Sequence, residues 1–204
     1  NPGNLSCLGE FKKHKFTTVK VQSVGPATLI LSGYDEDESI KRVYNHISAI
    51  TDGLNAKEII LFLDEPVLGQ VGFDYKRLWE PLFGSFNFVS GVHTCGNTDW
   101  DELFNSDIEI ISFDASKYNI TKYPYYRRNK RISWGIEKKQ DIKDFQDGDL
   151  LTLPCGMSPK IYRVEDCKKA LEKLVEISDE LVHETATREK DIEQKESYVL
   201  DYVI

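Results

Sequence analysis

The sequence lacks several features that would each have pointed to a function class. No apolar run approaches the roughly 20 residues that a helix needs to cross a bilayer. The opening residues, Asn1-Pro2-Gly3-Asn4-Leu5-Ser6, have no basic stretch followed by an apolar one, so they do not read as a secretory signal. There is no Gly-x-Gly-x-x-Gly turn and no P-loop, which argues against the usual glycine-rich phosphate cradle. Positive charge is not in excess: the formal net charge is −8, which argues against nucleic acid and anionic membrane as partners. Cysteine is sparse, with Cys7, Cys95, Cys155 and Cys167 in 204 residues, far from the density of a disulfide-stapled secreted domain. A reducing cytoplasm is the simplest compartment. An initiating methionine is also missing, so the expectation is a chain trimmed upstream.

What remains is an ordinary globular composition, 40% hydrophobic and 29% charged, in a length that suits one domain over 1–204. Six strand-like runs recur: Val19–Val24, Ile59–Asp64, Phe88–His93, Ile108–Asp114, Arg131–Ile136 and Leu150–Pro154. Most are near-continuously apolar, as expected for parallel strands covered on both faces. Between them, Glu36–Asn55, Tyr75–Phe83, Asp99–Phe104, Lys138–Phe145 and Val164–Leu181 have mostly helical spacing. Asp99 stands where it can cap the helix that follows. The charged tail Thr185–Glu196 is expected to prolong the last helix into solvent. Alternating strands and helices make an α/β fold with a parallel sheet.

Polar groups follow strand after strand: Gln22 and Ser23, Asp64 and Glu65, His93 and Cys95, Asp114, and Cys155. That distribution predicts a TIM-type (β/α)8 barrel, whose chemistry gathers at the C-terminal ends of its strands, rather than an open sheet with one switch point. Six strands are two short of eight, so the first βα units are expected to lie ahead of Asn1. Two thiols and an imidazole at strand ends suit zinc, which takes Cys sulfur at about 2.3 Å and His nitrogen at about 2.0–2.1 Å. The plainer alternative makes His93 a core histidine and Cys95 a small buried hydrophobe. Cys167, on a stripe with Val164, Leu171 and Leu174, is expected in the core. The basic and aromatic run Lys122–Arg131 reads as a solvated loop, or as a contact for an anionic ligand.

Five segments, in this order, carry a resemblance. They are Val24-Gly25-Pro26-Ala27-Thr28, Leu63-Asp64-Glu65-Pro66, His93-Thr94-Cys95, Ile111-Ser112-Phe113-Asp114-Ala115-Ser116 and Pro154-Cys155-Gly156. Together they resemble the catalytic domain of the cobalamin-independent methionine synthases, from the third barrel strand to the eighth, over Thr17 to about Leu181. The resemblance implies zinc as cofactor, held by His93, Cys95 and Cys155. Asp114 stands where that family has a fourth ligand, a Glu, one methylene longer. Direct ligation and orientation of His93 are both open readings of Asp114. The resemblance also makes Asp64 the carboxylate that holds the amino group of homocysteine. Asp64 and Glu65 are thus the candidate catalytic carboxylates, and Asp64, Gln22 and Ser23 the candidate substrate-binding residues.

The implied activity is zinc-dependent methyl transfer to a small thiol, with a methylated corrinoid or methyltetrahydrofolate as donor. Three departures bear on the donor. Ser32 falls near a family Trp that packs on the folate, Gln70 replaces a Glu, and the segment Trp134–Lys139 has no counterpart of the family's proton-donating His. The Cys-containing segments also resemble the zinc methyltransferases that move methyl groups from corrinoid proteins to coenzyme M, so a corrinoid protein is a candidate partner. A lyase like uroporphyrinogen decarboxylase, from the same barrel superfamily, and a non-catalytic binding module are the competing classes.

Overall fold

Six strands form one parallel sheet in which the order in space is the order in the chain. The computed structural model describes residues 7–70, 72–156 and 161–200, with side chains described through residue 184. A four-residue helix, α1 (Leu8–Phe11), leads into β1 (Lys15–Val24), α2 (Pro26–Leu31) and α3 (Glu36–Thr51). Then come β2 (Asn55–Asp64), α4 (Tyr75–Phe83), β3 (Val89–Thr94), α5 (Trp100–Asn105) and β4 (Ile110–Asp114). The chain continues through β5 (Arg131–Gly135), β6 (Leu150–Thr152) and the long α6 (Val164–Leu200).

A crossover between parallel strands is right-handed almost without exception. When every strand is added to the same edge, all the crossovers therefore fall on one face. An open doubly wound sheet must reverse direction somewhere, and this one never does. The sheet curls into half of a barrel instead, with its helices outside.

The two faces of the sheet differ accordingly. Leu61, Leu63, Val92, Ile111, Phe113 and Trp134 point outward into the main core with α3, α4 and α5. Among the described residues the buried hydrophobic cluster of the inner face is small, Ile60, Phe62 and Ile110, edged by Val89 and Leu150. The helices on the outside start as their sequences predict. Asp35, Asp74 and Asp99 each accept a hydrogen bond from the backbone N–H three residues on, a cap worth about 1 kcal/mol apiece.

Several expectations need correction. Lys138–Phe145 does not form a helix, but a single 3₁₀ turn over Lys139–Asp141. The Asp141 carboxylate accepts from the N–H groups of Glu137 and Lys138, a local bond that competes with helix propagation. On α6, the buried side chains are Ile177 and Leu181, whereas Val164 and Leu171 are 81% and 59% exposed. The helix has two apolar stripes, and the sheet covers only one. Cys167 is half-buried beside that covered stripe. The backbone of α6 does run through the charged tail, while the side chains of that tail lie outside the described residues.

The run Lys122–Arg131 is largely an exposed turn, as a solvated loop would be, but two of its residues are anchored. Arg127 donates to both oxygens of Asp149, at 2.6 and 2.8 Å, and Tyr126 donates to Asp144.

Candidate functional site

Parallel register sets the site. Asp64 on β2 lies opposite His93 on β3, which lies opposite Ser112 on β4. Residues level with one another in a parallel sheet share a face, so all three project to the inside of the curl. Gln22, two residues before the end of β1, joins them. Its side-chain amide donates to both oxygens of Asp64, at 2.9 and 3.2 Å. Gln22, Asp64 and His93 open into a cavity of about 570 Å³ that is also lined by Lys20, Cys95 and Cys155, with Ser112 buried behind His93.

His93 is held from behind. Its Nδ1 lies 3.0 Å from the Ser112 hydroxyl, and its Nε2 lies 3.1 Å from the Cys95 sulfur. Burial pushes the imidazole below its ordinary pKa, against the attraction of Asp64, which favours the neutral ring that a metal requires. Burial also pushes the Cys95 thiol up to about 11, with the adjacent Cys155 adding to the effect. Both sulfurs line the one cavity. Cys155 follows β6 on an exposed turn, brought near by the backbone at Gly135. A Cβ on Gly135 would sit 2.5 Å from the Phe113 carbonyl and 3.0 Å from Pro154 Cα, so any larger residue would push this turn away.

One imidazole nitrogen and two thiol sulfurs at a cavity wall are a donor set that zinc accepts. Tetrahedral bonds of standard length would put such a nitrogen and sulfur about 3.6 Å apart, so the 3.1 Å contact needs only a small opening. Among the described residues, no three His, Cys, Asp or Glu side chains are already gathered into a metal cage.

The other candidates are placed differently. Asp114 is 1% exposed, and both of its oxygens are engaged: Oδ1 accepts from Ser116, while Oδ2 pairs with Lys117 at 2.6 Å. It is Ser112 that contacts the His93 Nδ1. Glu65 is fully buried and turned away from Asp64. It accepts from the backbone N–H groups of Ala27 and Thr28, the Thr28 hydroxyl and the Trp79 indole, at the start of α2. Burial raises its pKa despite those bonds. Ser23 points outward, with its hydroxyl donating to the Val24 carbonyl. Met157, in the motif after Cys155, lies outside the described residues.

No protein-family model matches this chain. No curated protein and no solved structure matches it either.

Sequence reading passed over two groups of the site. Ser112 becomes visible only through the register of β3 with β4. Lys20 could have been found by alternation, since it lies two residues before Gln22 in a strand and therefore on the same face.

Proposed function

We propose that the chain carries the active site of a zinc-dependent methyltransferase whose methyl acceptor is a thiol, with homocysteine as the substrate and methionine as the product. One observation carries this reading: His93, Cys95 and Cys155 line the same cavity as Asp64, at the strand C-termini of a barrel-type sheet. His93, Cys95 and Cys155 would hold the metal, and Asp114 would stay with Lys117. Bound zinc deprotonates a coordinating thiol and in catalytic sites keeps one position open for it.

The chain's own residues supply the rest. The Ser112 contact orients the imidazole so that Nε2 faces the sulfurs. Gln22 holds the Asp64 carboxylate, which can take an ammonium on the acceptor. In the transfer, a bond forms between the acceptor sulfur and the methyl carbon, and the thiol proton passes to solvent. The bond from that carbon to the donor breaks, leaving its electron pair with the donor. A methylcorrinoid leaves as Co(I) and needs no proton. A folate leaving group does need one, and the segment Trp134–Lys139 at the end of β5 has no histidine to give it. Loss of a positioned acid costs about 10²–10⁴-fold, which favours the corrinoid.

The test starts with metal analysis of purified protein. About one zinc per chain is expected, falling sharply in Cys95→Ala and Cys155→Ala and unchanged in Cys7→Ser. X-ray absorption should then gain a sulfur neighbour near about 2.3 Å when homocysteine is added. Full zinc retention in the double Cys95→Ala, Cys155→Ala variant would remove the basis of this reading. Faster turnover with methyltetrahydrofolate than with methylcobalamin would reverse the donor preference alone.

A further inference from the structure

Two opposite charges line this cavity without neutralising one another. Among the described residues Asp64 forms no ion pair; its carboxylate is held by a neutral amide, that of Gln22. Among the same residues Lys20 is the one Lys or Arg that lines the cavity, and its ammonium has no hydrogen-bond or ion-pair partner. The Lys20 Nζ sits 4.3 Å above the ring of Phe62, on the inner face of the sheet. A cation over a ring is only partly compensated, and it keeps its three N–H donors available.

The other cations nearby are committed. Lys117 pairs with Asp114, Lys139 with Glu180 and Glu184, and Lys173 donates to the Glu137 carbonyl. Lys20 is different in kind, because it reaches inward from an edge strand to a wall shared with His93 and Cys95. Desolvation lowers its pKa while Asp64 raises it, as expected for a charge that lacks a direct partner.

We propose that Lys20 is a specificity residue that binds the carboxylate of an α-amino acid whose ammonium rests on Asp64. The cavity then recognises a zwitterion by both of its charges and excludes thiols that carry only one. Building on the proposed thiol chemistry, this makes the acceptor an amino-acid thiol, with its head group between β1 and β2 and its sulfur toward β3. Uncharged thiols and purely anionic ones would forgo the contact with Asp64, with Lys20 or with both, which is where the discrimination arises.

The test is calorimetric binding to the zinc-loaded chain with three probes. Homocysteine has both charges and the sulfur, 2-aminobutyrate has both charges and no sulfur, and 3-mercaptopropionate has the sulfur and the carboxylate only. Lys20→Met keeps the length and apolar stem, and Lys20→Arg restores the charge. Lys20→Met should weaken homocysteine and 2-aminobutyrate by about 10- to 100-fold, and Lys20→Arg should recover most of that loss. 3-Mercaptopropionate should bind more weakly than homocysteine to the unaltered chain.

Unchanged affinity of both amino acids in Lys20→Met, with a native circular dichroism spectrum, would overturn the assignment, as would no amino-acid binding at all. If 2-aminobutyrate binds as tightly as homocysteine and still depends on Lys20, the zwitterion site stands and the thiol reading falls.

Discussion

The Ser112 hydroxyl lies 3.0 Å from Nδ1 of His93, on the neighbouring strand and at the same level of the sheet. This contact leaves the other ring nitrogen toward Cys95. Partners that orient a ligating histidine typically change metal affinity by about 10- to 100-fold when removed. Ser112→Ala should therefore weaken zinc binding by that factor in a chelator competition, without unfolding the protein. Unaltered affinity would mean that the strand alone fixes the ring.

Glu65 and Gly25 form a second pair, with a different role. A Cβ on Gly25 would lie 2.1 Å from the Glu65 carboxyl carbon, so the carboxylate occupies the space that a side chain would need. Gly25→Ala would expel it from the start of α2, and Glu65→Gln would present an N–H where donors already converge. Each should lower stability by about 1–3 kcal/mol in urea denaturation, the cost of leaving buried polar groups unmatched. A Glu65→Gln variant as stable as the original, but inactive, would return Glu65 to the chemistry.

The Asp144 carboxyl gives a pH signature. Burial acts to raise its pKa, but hydrogen bonds from Tyr126 and attraction to Arg127 outweigh that and hold it below the ordinary value. A depressed carboxylate contributes stability that is present above the unfolded pKa, about 3.9, and is lost as pH falls through the lower folded value. Asp144→Asn should flatten that part of the acid limb. Thermal midpoints at pH 5 and pH 3 should differ less in the variant than in the unaltered chain.

Asp149 is more deeply placed, with its side chain 1% exposed. It binds Arg127 through both oxygens and also accepts from Ile132 N–H, the Trp134 indole and Gln146 N–H. Asp149→Ala strands a half-buried guanidinium together with those donors, and should cost about 3–5 kcal/mol in denaturant titration. A loss below 1 kcal/mol would show that water replaces the carboxylate there.

Periodicity located all six strands because each is a short apolar run with a polar group just past it. The strand at Lys15–Val24 was read four residues short, since its first half is exposed and carries little apolar signal. α2 went unread as a helix: six residues beginning Gly25-Pro26 give too little period, and Glu65, distant in sequence, supplies its N-terminal acceptor. The same distance hid the position of Glu65, which adjacency to Asp64 had suggested belonged to the site. In a strand, successive side chains point to opposite faces, and that rule separates Gln22 from Ser23. His93, Cys95 and Cys155 were legible because their residue types stand at strand ends. Ser112 was not, because its meaning comes from register.

The uninterrupted strand order has a consequence for how the molecule opens. Among the described residues each strand pairs with its chain neighbours alone, as Lys15 meets Asn55 and Ser133 meets Leu150, and no pairing ties the first strand to the last. Such a sheet behaves like a zipper, free to part from an end while its middle stays closed. The weaker end is β6, three residues long and half-buried, with Cys155 just beyond it. His93 and Cys95 belong to the centre. Whatever clasps these three side chains together is thus a stitch from the loosest margin of the sheet to its firmest part, and occupancy of the site and closure of the margin become one equilibrium.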